Sequence, residues 1–152
     1  MQNAVIGREK EWAELRPASV KKRVMVIGGG PAGLEVSRVA ALRGHEVALY
    51  ERSGELGGQV LIAAKVPTRQ EIAGITRWLA LQVQKLGVDI HLNTEVTPQI
   101  VERENPDAVV VATGSVPSSL SVPGATSQNL VDERSVLLGK AVSVRRTHNA
   151  VS

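Results

Sequence analysis

The chain has 152 residues, 43% apolar and 22% charged, with 18 Lys and Arg against 15 Asp and Glu for a net charge of +3. This is one domain of ordinary globular composition, which excludes a disordered tract and a coiled coil. With no cysteine the chain itself holds no disulfide, iron–sulfur ligand, thiolate zinc site or cysteine nucleophile.

Within the apolar set, 23 valines and 14 glycines stand against three aromatic residues, Trp12, Trp78 and Tyr50. β-Branched residues with abundant glycine suit a buried parallel sheet joined by tight turns. The scarcity of aromatics argues against stacking platforms for single-stranded nucleic acid, and the basic clusters Lys21-Lys22-Arg23 and Arg145-Arg146 read as solvated flanks, so no nucleic-acid partner is expected. His45, His91 and His148 lack ligand spacing, so no metal is expected. No apolar run reaches the roughly 18 residues of a membrane span, and no signal-peptide core follows the charged start. The expectation is a soluble, cytoplasmic protein.

Residues 1–20 read as an N-terminal arm with a helical hint from Lys10 to Leu15. Lys21 to Ile27 is a basic flank and a short apolar strand that runs into Gly28-Gly29-Gly30. Pro31 to Arg43 fits a helix stopped by Gly44, and Glu46 to Tyr50 is a second apolar strand. Together they make a βαβ unit of the length that a parallel crossover requires. A glycine-rich loop from Ser53 to Gly58 follows. Thr68 and Glu71 have capping-box spacing before a helix with Ile72, Ile75, Leu79, Val83 and Leu86 on one face. Val88 to Leu92 reads as a third strand, and a helical turn is expected after Thr97-Pro98. Asp107 to Thr113 is a strand apolar on both faces, hence buried on both, closed by Gly114. Pro117 and Pro123-Gly124 read as turns and Asp132 to Leu138 as a short helix. The fold expected is α/β, a Rossmann-like parallel sheet with flanking helices over 21–140, followed by an irregular tail, 141–152.

Gly28-Gly29-Gly30-Pro31-Ala32-Gly33 is a G-x-G-x-x-G between a strand and a helix. Gly28 permits the sharp turn, Gly30 lets a pyrophosphate approach the backbone, and Gly33 lets the helix pack on the strand. The helix start presents N–H groups and partial positive charge to that pyrophosphate. Glu51 lies 18 residues beyond Gly33, at a strand end, where a carboxylate accepts the hydroxyls of an adenosine ribose. The same charge disfavours a 2′-phosphate, though Arg52 beside it softens that exclusion. Glu51-Arg52-x-x-x-Leu56-Gly57-Gly58-Gln59 adds a second glycine turn, whose N–H groups suit a further stretch of an extended ligand such as a flavin nucleotide. In Val109 to Gly114, the small residues Ala112, Thr113 and Gly114 let the chain pass under a nucleotide at the sheet's carboxyl edge. A short-chain dehydrogenase is excluded, because its Tyr-x-x-x-Lys pair is missing: the one tyrosine, Tyr50, stands inside a strand.

These motifs, from Val24 through Gly114, resemble the FAD-binding part of two-dinucleotide-binding flavoproteins. More narrowly, Gly7-Arg8-Glu9-Lys10 and Ala40-x-x-Arg43-Gly44-His45 resemble the C-terminal region of NADH:flavin oxidoreductases related to 2,4-dienoyl-CoA reductase and trimethylamine dehydrogenase. The resemblance implies that the chain positions FAD for electron transfer in a flavin-dependent NAD(P)H oxidoreductase, with no catalytic side chain of its own. It implies contacts from Gly28, Gly30, Pro31, Ala32, Gly33, Glu51, Arg52, Leu56, Gly58 and Gln59, with Val96 at the adenine and Ala112, Thr113 and Gly114 beneath the nucleotide. Such proteins also carry a flavin barrel, a cysteine-ligated cluster and an NAD(P)H domain with its own glycine fingerprint. None is found here, so the chain reads as a fragment that meets NAD(P)H only through a missing domain, with Val142 to Arg146 as that domain's possible first strand. The barrel is then an expected partner. The alternative is a non-redox module that holds ADP.

Overall fold

The structure is a computed structural model that describes residues 6–12, 14–116, 118, 123 and 131–140. The elements are α1 (Glu9–Trp12), β1 (Arg23–Ile27), α2 (Pro31–Leu42), β2 (Glu46–Tyr50), α3 (Gln59–Ala63), a 3₁₀ turn (Gln70–Ile72), α4 (Ala73–Lys85), β3 (Asp89–His91), α5 (Pro98–Glu104), β4 (Ala108–Val111) and α6 (Glu133–Leu137). The expected turns at Pro117 and Gly124, the tail 141–152 and the strand at Val142 to Arg146 lie outside the described residues.

All pairings in the sheet are parallel and the strand order is β3-β2-β1-β4. β2 and β3 are added to one side of β1, and β4 then crosses to the other. The order therefore reverses at β1, which makes the crevice at the carboxyl ends of β1 and β4 a topological switch point. Alternation along the strands sets which face is covered. Val24 and Val26 of β1, and Val47 and Leu49 of β2, pack with Leu34 of α2 and with Leu79 and Val83 of α4. Val26, Leu34, Leu49 and Val83 are wholly excluded from solvent, each contributing roughly 1.5–3 kcal/mol. On the opposite face Met25 and Tyr50 are also buried. The arm is tied back to the end of α2, since Ala18 N–H donates to the Arg43 carbonyl and Arg43 Nε–H to the Arg16 carbonyl. No helix among the described residues is long and apolar enough to cross a membrane.

Three local expectations differ, and one element was not foreseen. The capping box is not formed: Thr68 stands at φ +70, and the chain enters α4 through the 3₁₀ turn with no side-chain cap. On α4, Leu79 and Val83 are buried as expected, but Thr76 takes the inner place of Ile75, which is 45% exposed. The Thr76 hydroxyl donates to the Ala73 carbonyl, which satisfies it inside the packing. The short helix α3 has no periodic signal in five residues. Finally, β4 is not buried on both faces. Among the described residues β1 is its sole neighbour in the sheet, and Val109 and Val111 are 40% and 69% exposed. Two apolar faces on a strand predict burial only when layers cover both, and among the described residues none covers the face that carries Val109 and Val111.

Ser37 of α2 is wholly buried and its hydroxyl has no hydrogen-bond partner. An orphaned buried hydroxyl costs about 1–3 kcal/mol. Ser37→Ala is expected to raise stability by about 1 kcal/mol, read as a higher midpoint in urea at unchanged slope. A lower midpoint would show that the hydroxyl is satisfied in solution.

Candidate functional site

The site is built where β1 and β2 end. Gly28 leaves β1 at φ +111, and a Cβ there would collide with the Ala112 carbonyl of the chain leaving β4. A Cβ on Gly33 would overlap the Gly28 carbonyl. These two glycines therefore let three backbone segments meet. Gly30 differs: it has an ordinary φ of −75 as the N-cap of α2, and a Cβ there would find nothing within 4 Å. Its missing side chain opens space instead of permitting contact. Pro31 begins α2, no side chain caps that end, and Leu34 N–H closes the first turn onto the Gly30 carbonyl. The first N–H groups of a helix are left over by its own hydrogen bonding.

Glu51 is buried to 8% exposure at the end of β2. Its Oε2 accepts from Gly29 N–H at 2.6 Å, and its Oε1 accepts from Ser53 N–H and the Ser53 hydroxyl, both at 2.8 Å. Burial by itself pushes this carboxyl up. The hydrogen bonds from Ser53 N–H, Gly29 N–H and the Ser53 hydroxyl, with the Arg52 charge, outweigh it and hold the group below its ordinary value. The sequence places Glu51 at a strand end as an acceptor for ribose hydroxyls; in the structure the acid also anchors the glycine turn. Gly29, an unassigned position of the motif, is constrained like Gly28 and unlike Gly30, since a Cβ there would lie 2.6 Å from Leu56 Cδ2 and 3.1 Å from Glu51 Oε2.

The second glycine turn packs against the first. Gly57, at φ +131, donates its N–H to the Gly29 carbonyl at 2.8 Å, so that N–H is committed within the protein. Gly58 precedes α3, and a Cβ there would stand 3.0 Å from Gly30 Cα. The Gln59 side-chain amide donates to the Ser115 carbonyl at 2.7 Å, which ties α3 to the segment after β4.

Between these segments lies a cavity of about 600 Å³. The first turn gives it Gly28, Gly30, Pro31 and Ala32; the end of β2 gives Glu51 and Arg52. Gly58 and Gln59 come from the second turn, Val96 from the stretch after β3, and Ala112, Thr113 and Gly114 from beyond β4. Gly33 and Leu56 are not in the wall. Gly33 is buried in α2, and Leu56 packs against the core cluster. Tyr50, Ser53, Lys65 and Arg134 also line the cavity and were not foreseen. Lys65 and Arg134 are single charges without a motif around them. Tyr50 had a signal, its place just before the strand-end acid. Its ring stacks on His91 at 4.4 Å, and burial, with the nearby Glu104 and Asp89 charges, pushes its hydroxyl up.

The shape suits an extended nucleotide. A side-chain-free N-cap opens onto the cavity, a helix start without a side-chain cap faces it, and a buried carboxylate shares its wall. A model of the pyridine nucleotide-disulphide oxidoreductases matches residues 22–146. The chain belongs to that family. It carries the family's FAD/NAD(P)-binding, Rossmann-like domain, the nucleotide-binding part of flavin-dependent oxidoreductases. Because the chain has no cysteine, the disulphide of the family's name has no counterpart within it. It is 46% identical over 126 residues to N,N-dimethylglycine/sarcosine dehydrogenase of Chromohalobacter salexigens, covering 81% of this chain and 18% of that protein. It is 39% identical over 127 residues to NADH oxidase of Thermoanaerobacter brockii, covering 84% and 20%. Among solved structures, 2-naphthoyl-CoA reductase superposes with a TM-score of 0.85 at 38% identity, over 92% of this chain and 21% of that one. The chain thus spans about a fifth of these relatives' length.

Glu51 gives the site a pH signature. Its folded value lies below its ordinary one near 4.5, so the unfolded chain takes up the proton first as pH falls. Its stabilisation is complete above the ordinary value and is lost as pH drops through the folded one. The stability gap between the natural chain and Glu51→Gln is therefore expected to be widest near pH 7 and to shrink below about pH 4.5, measured by urea unfolding. A gap independent of pH would contradict the ionised, anchored carboxylate.

Proposed function

We propose that this chain holds the ADP part of FAD across the β1–β4 switch point and positions the flavin for electron transfer from NAD(P)H in a larger oxidoreductase. The observation that carries the reading is the open Cβ position at Gly30, set against the filled ones at Gly28 and Gly33. Packing requires glycine at Gly28 and Gly33 and does not require it at Gly30, where the open space faces the cavity.

In this reading the pyrophosphate lies over Gly30, against the start of α2, where Ala32 lines the cavity. Glu51 accepts from the ribose, and Val96 borders the adenine. Ala112, Thr113 and Gly114 form the floor, and Gly58 and Gln59 meet the part of the ligand beyond the pyrophosphate. Arg52, Lys65 and Arg134 are matched in the wall by Glu51, Glu55 and Glu95. Backbone N–H groups, with no net side-chain charge, therefore select the diphosphate. Bound flavin supplies the electron-carrying chemistry, and the protein supplies position.

The family assignment favours this reading over a non-redox ADP module. The domain proposed spans 21–140, with 1–20 as an arm. Since the relatives are about five times longer, the substrate, the NAD(P)H-reactive surface and a separate flavin or iron–sulfur barrel belong to other parts of such an enzyme. A cytoplasmic setting, where reduced pyridine nucleotides are made and spent, belongs to the same proposal.

Calorimetric titration with ADP, FAD and NADH tests it. FAD is expected to bind more tightly than ADP; equal affinities would leave the flavin end without a role. Gly30→Val has an allowed backbone and free space, so it is expected to keep the thermal midpoint yet weaken binding at least about a hundredfold, or ~2.7 kcal/mol. Undiminished binding by that variant would place the diphosphate elsewhere.

A further inference from the structure

The hydrogen bonds around Glu51 leave it short of acceptor sites. A carboxylate offers about four lone-pair sites. Oε1 is filled by Ser53 N–H and the Ser53 hydroxyl, and Oε2 by Gly29 N–H alone. One site is open, on Oε2. An adenosine ribose presents two neighbouring hydroxyls, and both need an acceptor if the acid is to hold them together.

The Ser53 hydroxyl resolves the mismatch. Its Oγ lies 2.8 Å from Glu51 Oε1 and 2.9 Å from the Glu55 carbonyl oxygen. It carries one proton, so it donates fully to one of the two. Ser53 and Glu51 both line the cavity. When the proton turns to the Glu55 carbonyl, the second site on Oε1 is vacated and no covalent bond changes. Gly29 N–H and Ser53 N–H are fixed by the backbone and cannot yield in the same way.

We propose that Ser53 is a positioning residue whose hydroxyl proton sets whether Glu51 holds one ribose hydroxyl or two. The inference rests on the nucleotide reading given above. Without a ligand, the proton lies on the carboxylate and keeps a buried charge satisfied. With a ribose bound, it moves to the carbonyl and the acid accepts both hydroxyls. The exchange trades a charge-assisted bond for a neutral one, roughly half as strong, so it tempers affinity for ligands with both hydroxyls and leaves those with one unaffected.

The test is titration of the full chain with ADP and with 2′-deoxy-ADP and 3′-deoxy-ADP, for the natural protein, Ser53→Ala and Ser53→Thr, with thermal midpoints alongside. In S53A the site on Oε1 stands open. Affinity for ADP is expected to rise about fivefold, or ~1 kcal/mol, with little change for either deoxy analogue, and S53T is expected to restore the natural ratio. Should S53A fail to fold, Ser53→Cys, whose thiol is a weak donor, carries the same expectation. A ratio of ADP to deoxy affinities unchanged in S53A, or an equal loss for all three ligands, would overturn the role of Ser53 and reduce it to a loop contact. Absence of ADP binding by the natural chain would instead overturn the nucleotide reading itself.

Discussion

The 2.6 Å hydrogen bond from Gly29 N–H to the Glu51 carboxylate joins the two halves of the site. It links the turn after β1 to the end of β2, across the seam between neighbouring strands. Through it a single acid both fixes the backbone that would cradle a diphosphate and stands beside it, where a sugar would lie. Leu56 closes over the same point, and the Gly57 N–H bonded to the Gly29 carbonyl brings the second glycine turn into place. The middle glycine is therefore held from both sides, its N–H by the acid and its carbonyl by the second turn. The space at Gly30 stays open because its neighbours are fixed.

The remainder of the fold serves that arrangement. β1 lies between β2 and β4, so the chain must cross back over it, and the crossing leaves a crevice that no side chain from the core fills. α2 packs its inner face on Val26 and Leu49 while its first turn faces the crevice without a capping side chain. A Ser or Asp cap at position 30 would satisfy those N–H groups from within the protein and remove the means of taking an anion. The local helix stability given up there is what makes the position available to a ligand. The family model spans residues 22–146, which include every residue that lines the crevice.

The βαβ unit was legible because its signals are local: an apolar run, a glycine turn, a helix stopped at Gly44 and a second run all fall within thirty residues. Glu51 was legible as a position, through its distance from Gly33. Its attachments were not, because an offset gives no account of which N–H groups point at a carboxylate, and so its anchoring of Gly29 had to come from the structure. Thr68 and Glu71 have the spacing of a capping box, but spacing does not fix φ, and the left-handed backbone at Thr68 rules the box out. Ile75 and Thr76 both stand at helical spacing from Ile72 and Leu79, so periodicity allows either on the inner face, and hydropathy favours the isoleucine where the packing takes the threonine. Val109 and Val111 show the converse limit. Valine reports that a strand can be buried, and the layers around it decide whether it is.

The central claim is that the turn from Gly28 to Ala32 receives a diphosphate, and amide resonances read this directly. In a ¹⁵N-labelled sample of the full chain titrated with ADP, the account predicts saturable shifts at Gly29, Gly30 and Ala32, with Glu51 and Val96 moving along the same binding curve and α4 unmoved. Shifts confined to the far end of the sheet, near Arg23 and Glu46, or none at the turn at saturating ADP, would contradict it.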